Sequence, residues 1–227
     1  EPQSGSDAAG VRTRASIGSD GSYTINGCKS WVSLARIADI YLVVVKTKEE
    51  PGHKDIAMVA VPKTTPGLHF GEPYEKLVSP FLPIADMFLE NVTVPADHVI
   101  LPPGQGLSGS LTAIDIARTS IAAGCCGLMS AALDTALSYA RDRRMFGQSE
   151  LDFQGIQWIL SDVATDLEAS RLLYKHASEL LGTREGTVAA AHAKRFAPDA
   201  AVRATGACMQ MLGGNGLLAP YALERMY

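Results

Sequence analysis

A cluster of breakers, Pro95, Pro102, Pro103, Gly104 and Gly106, divides this chain into two blocks with different hydrophobic periods. Side chains alternate between faces in a strand and return to one face every 3.6 residues in a helix. A chain that holds the two periods in separate blocks folds as α+β. In the first block residues 11–17 alternate, Asp20-Gly21 is a tight-turn pair, residues 23–25 follow, and Asn26-Gly27 predicts a second turn into residues 28–33. Residues 41–46 and 56–61, rich in β-branched side chains, read as buried strands, and 87–92 gives one more. In the second block residues 111–141 are mostly Ala, Ile, Leu and Gly, as in a helix buried on several sides. Phe153, Ile156, Leu160, Val163 and Leu167 mark an amphipathic helix over 153–181, a stripe that Arg171 interrupts and Tyr174 resumes. Gly182 suits its C-cap, and 188–212 predicts a third helix with a kink at Pro198. The expected architecture is an antiparallel β-barrel-like domain over 1–100, then an antiparallel helical bundle over 107–227.

With 227 residues, 47% of them hydrophobic, the chain can bury a core in each block. A net charge of −4 without a Lys/Arg stripe excludes a nucleic-acid footprint. Cys28, Cys125, Cys126 and Cys208 lack metal-ligand spacing and read as free thiols in a reducing compartment, either the cytoplasm or the mitochondrial matrix. The histidines, His53, His69, His98, His176 and His192, are scattered, so no metal site is expected. No secretory signal is visible, and no apolar stretch reads as reaching the roughly 18 residues needed to span a bilayer. Glu1 is not an initiator Met and Tyr227 falls within what reads as a starting helix, so the sequence is expected to be an internal piece of a longer polypeptide.

Five motifs occur in an order that resembles the acyl-CoA dehydrogenase family. They are Glu1-Pro-Gln-Ser-Gly-Ser-Asp7, Ile25-Asn-Gly-Cys-Lys-Ser-Trp-Val-Ser33, Asn91-Val-Thr-Val-Pro95, Tyr139-Ala-Arg-Asp-Arg-Arg-Met-Phe-Gly147 with Gln154 beyond it, and Gln210-Met-Leu-Gly-Gly-Asn-Gly216. The resemblance covers nearly the whole chain and implies FAD as cofactor. It places Trp31 and Ser33 beside the isoalloxazine ring. Arg143, Phe146, Gln154, Gln210, Gly213 and Gly214 would hold the pyrophosphate and adenosine, across a subunit boundary. A guanidinium suits phosphate, and glycines let backbone N–H groups approach it. Ser6 would face the acyl or pantetheine portion of a thioester, and Asp115 and Arg118 the coenzyme A arm. Taken singly, each motif has a plainer reading: Trp31 as core filler, Arg143 as a helix-end charge, Asp115 and Arg118 as a surface ion pair, and Gly213 to Gly216 as a helix stop.

In this family a carboxylate removes the proton α to the thioester while a hydride leaves the β carbon. The resemblance puts the usual base beyond Tyr227. An alternative position on the first long helix is Ala117 here, which closes that route. Asp115 and Glu224 are weak candidates: Asp115 is two residues from 117 and on another face, and Glu224 sits in a first helical turn. Leu82-Pro83-Ile84 departs from the small or hydroxyl residues usual near the flavin, which implies an altered active-site wall. The implied activity is oxidation of the CH–CH group of an acyl thioester, bound to coenzyme A or a carrier protein. An electron-carrier flavoprotein would be the acceptor, and the assembly a homo-dimer or homo-tetramer. A flavin-dependent monooxygenase and a catalytically silent FAD- or ligand-binding homologue are the alternatives.

Overall fold

The computed structural model of the protein describes residues 1–48 and 54–227, and His53 lies outside them. Contacts divide the chain into two compact units, Glu1–Leu111 and Thr112–Tyr227. The first holds seven strands: β1 Arg14–Ile17, β2 Tyr23–Ser33, β3 Ile40–Lys46, β4 Ile56–Pro62, β5 Leu68–Phe70, β6 Ile84–Val94 and β7 Val99–Leu101. They form one sheet in the order β5-β6-β2-β1-β3-β4-β7. The α+β class is as expected, but the barrel-like closure is not: β5 and β7 remain as open edges. Nor is the sheet wholly antiparallel, since β1 meets β3 in parallel at Arg14 and Lys46.

Alternation builds the core on one face. Val43, Val45, Val59, Val61, Val92 and Val94 point inward and are buried. Ile40 and Leu42 of β3 remain about 60% exposed, so this strand is buried on one face only, not on both. The Asp20-Gly21 turn forms, with Gly21 at φ +81° and Ile17 opposite Tyr23. Asn26-Gly27 does not turn. Strand β2 runs straight through it, and the irregularity falls on β6, where Asn91 takes φ +54° and exchanges hydrogen bonds of 2.9 and 3.1 Å with the Asn26 amide. Gly27 is required there by close approach: a Cβ would stand 2.7 Å from the Thr13 Cα.

The second unit is helical. Helix α1, Gly106–Asp142, starts just before the unit boundary and α2, Gln154–Glu179, and α3, Arg184–Met211, follow, with a short α4, Leu223–Met226. Between α1 and α2 lies a two-stranded hairpin, β8 Arg144–Met145 and β9 Gln148–Ser149. The three long helices share one core, with Cys126, Met129, Ala132 and Ala136 from α1, Leu160, Val163 and Leu167 from α2, and the end of an alanine seam on α3, whose earlier part packs in a second cluster with Ala122 and Ala177. That seam comprises Ala189, Ala190, Ala193, Ala197, Ala200, Ala201 and Ala204, all buried. Gly182 takes φ +86° after α2, and the Thr183 hydroxyl accepts from the Gly186 N–H at 3.0 Å as the N-cap of α3. Helix α3 continues through Pro198 as a single element.

Helix α1 corrects one expectation: by length and composition it is long and apolar enough to cross a membrane. Several of its polar residues are hydroxyls that bond back to the preceding turn, such as Thr119 to the Asp115 carbonyl at 3.0 Å and Thr135 to the Ala131 carbonyl at 2.8 Å. They therefore interrupt the apolar run without breaking the helix. One side of α1 enters the bundle core, and Ile114, Ile116, Ile121 and Leu128 stand exposed.

Candidate functional site

In the β unit the site begins with an extra residue. Lys29 pairs with Met87 and Val32 with Ala85, so Ser30 and Trp31 together oppose Asp86 alone. This is a β-bulge, and Trp31 takes φ +59° to accommodate it. The indole is turned outward and is 69% exposed. It is therefore not core filler. Its ring lies 4.7 Å from that of Tyr74, tilted by 58°. Two residues on, Ser33 ends β2 exposed and directly opposite Ile84. The divergent segment 82–84 is thus the immediate neighbour of Ser33, and the Lys76 ammonium fixes it by donating to the Leu82 carbonyl at 2.7 Å.

The segment that carries Ser6 is pinned by Glu1. One Glu1 oxygen accepts from the Lys29 ammonium at 2.6 Å and the Thr13 N–H at 3.0 Å, and the other from the Arg12 N–H at 2.7 Å and the Gln3 amide at 2.6 Å. Burial opposes the charge on Glu1, but these hydrogen bonds prevail and hold its pKa down to about 2, from 4.5. Burial lowers the Lys29 pKa, while Glu1 opposes that fall. Ser6 itself is exposed.

In the helical unit the expected residues occupy several places. Gln210, Gly213 and Gly214 line a cavity of about 320 Å³ with Gly206, Met209, Leu217 and Tyr227. A Cβ on Gly214 would meet nothing within 4 Å, whereas one on Gly216 would fall 2.4 Å from the Met209 carbonyl oxygen. Gly216 therefore shapes the loop and Gly214 leaves backbone open to a ligand. Arg143 lines a second cavity, of about 720 Å³, with Asp134, Tyr139, Asp142, Asn215 and Tyr221. There the Asn215 amide donates to the Tyr139 hydroxyl at 2.9 Å. Phe146 and Gly147 form the hairpin turn with φ of +52° and +83°. A phenylalanine rarely adopts that conformation, and here it puts the ring 93% into solvent. Gln154 is exposed at the first turn of α2.

Asp115 and Arg118 do form the expected pair, at 3.1 Å. The other Asp115 oxygen accepts from the Thr187 hydroxyl of α3 at 2.7 Å. Both oxygens are thus engaged, in a cavity of about 290 Å³ bordered by Thr112, Ile116, Gly182 and Thr183. Arg118 also borders a cavity with Lys194, Arg195 and Asp199. Ala117 is exposed on α1. Glu224 lies beside Arg225 at 3.4 Å in α4. Tyr74, Asp86, the Glu1 clamp and Thr187 are not legible in the sequence. A bulge and a contact between remote residues leave no local signature.

Two family models match this chain: the acyl-CoA dehydrogenase middle domain over residues 1–92 and the acyl-CoA dehydrogenase C-terminal domain over residues 104–227. A probable acyl-CoA dehydrogenase of Bacillus subtilis, YngJ, is 39% identical over 100% of this chain and 60% of its own length. The solved structure of butyryl-CoA dehydrogenase from Megasphaera elsdenii superposes with a TM-score of 0.92 at 33% identity, covering 100% of this chain and 59% of that one. A prolyl acyl carrier protein oxidase, AnaB, gives a TM-score of 0.92 at 26% identity over 100% of this chain and 60% of its own. The chain therefore spans about 60% of the length of the relatives it matches. Bulge, glycine loop and hairpin, with these matches over both units, show that the chain belongs to the acyl-CoA dehydrogenase family.

Proposed function

We propose that this chain is the β and helical portion of an FAD-dependent oxidoreductase that acts on the CH–CH group of an acyl thioester. The observation that carries the reading is Trp31, an indole held in solvent at positive φ by a bulge, two residues from the exposed Ser33. Backbone strain of this kind clusters at active sites and ligand clamps. The helical unit offers matching chemistry: a guanidinium at Arg143, amides at Gln154 and Gln210, an outward ring at Phe146, and open backbone at Gly214.

Arg143 would pair with the pyrophosphate, Gln154 and Gln210 would donate amide hydrogens to it, and Phe146 would cover adenosine. Because Arg143 and Gln210 line separate cavities within one chain, the dinucleotide would draw on two subunits of a homo-dimer or homo-tetramer. Trp31 would shield one side of the ring system and Ser33 would donate a hydrogen bond to it. When bound, FAD supplies the acceptor for a hydride from the β carbon. Ser6 and Arg118 would hold the thioester arm, and an electron-carrier flavoprotein would take the electrons onward. Asp115 is unsuited to proton abstraction, since both oxygens already accept hydrogen bonds. Ala117 has no titratable group. The proton would pass to a carboxylate other than Asp115. The hydrophobic wall of Leu82, Pro83 and Ile84 beside Ser33 points to a divergent acyl group, on coenzyme A or a carrier protein. A reducing compartment, the cytoplasm or the mitochondrial matrix, fits four free thiols.

The test is anaerobic mixing of the full-length protein with a panel of acyl thioesters. Bleaching of the flavin absorption band with at least one of them is expected. A flavin that stays oxidised with all of them would refute the reading.

A further inference from the structure

The bulge that turns Trp31 outward also sets it against a group of polar side chains outside the family motifs. Tyr74 arrives from the segment between β5 and β6, and its backbone N–H donates to the Ile84 carbonyl at 2.8 Å. Its hydroxyl donates to an Asp86 oxygen at 2.5 Å. Asp86 is the single residue that opposes Ser30 and Trp31 across the bulge. The phenol is therefore tied at one end to the bulge itself, and its ring rests against the indole at 4.7 Å. The Asp86 carboxyl is lowered from its ordinary value chiefly by the Tyr74 hydroxyl, and the Tyr74 phenol is raised chiefly by the same bond. Near neutral pH the pair is a neutral donor on an ionised acceptor, a charge-assisted bond.

A side chain 69% exposed has little else to fix its rotamer. From this we infer that Tyr74, anchored by Asp86, is a positioning residue that sets the plane of the Trp31 indole against the flavin, and through it the rate of hydride transfer. The inference rests on the FAD reading proposed above. One face or edge of the indole is occupied by the tilted Tyr74 ring, which leaves the remainder to a planar ligand. Displacing a positioning group by about 1 Å can slow a reaction by up to about a hundredfold, so a loosened indole is expected to slow reduction by about tenfold.

The experiment uses full-length protein labelled with 5-fluorotryptophan, with the Trp31 resonance assigned by its loss in Trp31→Phe. Tyr74→Ala is expected to shift and broaden that resonance, alter the visible circular dichroism of bound FAD, and slow reduction by an acyl thioester by about tenfold. FAD content and melting temperature should stay at wild-type values. Tyr74→Phe keeps the ring and loses the tether, so it should return the resonance towards its wild-type position with a broader line. A resonance and flavin spectrum unmoved in Tyr74→Ala overturn the positioning role and leave the proposed oxidation standing. A wild-type protein that takes up no FAD overturns both.

Discussion

Replacing Glu1 by glutamine tests how the segment that carries Ser6 is held. Glu1 is 4% exposed at its side chain and Lys29 15%, so solvent screens the pair little. The folded pKa of Glu1 is about 2 against an ordinary 4.5. At about 1.4 kcal/mol per pH unit this corresponds to about 3 kcal/mol at neutral pH. The folded value is depressed, so this contribution is fully present above 4.5 and is lost as the pH falls towards 2. Glutamine keeps an acceptor for one of the two backbone N–H groups and leaves Lys29 buried without its counter-charge, a loss of the same order. Hydrogen exchange of residues 1–17 at pH 7, read by mass spectrometry, should therefore show protection falling by about a hundredfold. Repeated downwards in pH, with rates corrected for intrinsic exchange, the two proteins should converge as Glu1 protonates. Adding Lys29→Met to the variant should recover part of the loss by removing the stranded charge. Equal protection at pH 7, or a gap that stays constant down to pH 2.5, would refute the account of Glu1 as an ionised clamp.

Four further outcomes follow from the helical unit. Gly214→Ala should leave the melting temperature unchanged yet reduce FAD uptake, because its Cβ meets only open space in the chain. Gly216→Ala should destabilise the unit by about 1–3 kcal/mol, since its Cβ would be 2.4 Å from the Met209 carbonyl oxygen. Asp115→Asn should slow turnover by less than about tenfold, against the ~10²–10⁴-fold loss expected of a general base, and steady-state rates decide between them. The Cys208 thiol, fully buried and raised to about 11 by desolvation, should resist iodoacetamide at pH 8 in the native protein and react after unfolding, as peptide mapping would show.

The sequence carried the division into two periods, the three long helices and the strands around Val43, Val59 and Met87, because each rests on a local repeat. It misassigned what depends on remote neighbours. Asn26-Gly27 has the composition of a turn, yet Gly27 is there because the Thr13 backbone passes against it. The three-residue strands β5 and β7 are too short to show a period, and their positions at the sheet edges decide that it stays open. In the site, Trp31, Ser33 and the glycine loop were legible as motifs. Tyr74 was not, because it sits in the charged stretch 72–76 and meets Trp31 only through a bulge. Asp115 illustrates the reverse: its pairing with Arg118 follows from helical spacing, but its bond to Thr187 joins residues 72 positions apart.

The alanine seam of α3 has a mechanical consequence. Where the contact is made by methyl groups, neighbouring backbones approach as closely as they can, and no flexible side chain remains to absorb a change in volume. A larger residue at Ala193 or Ala197 would have to move the helix itself. Helix α3 is a rod about 40 Å long, and its last residues, Gln210 and Met211, lead directly into Gly213 and Gly214. Substitutions far from the glycine loop would thus retune its aim, and if the loop holds the proposed dinucleotide, such distant positions adjust affinity without altering a single contacting group.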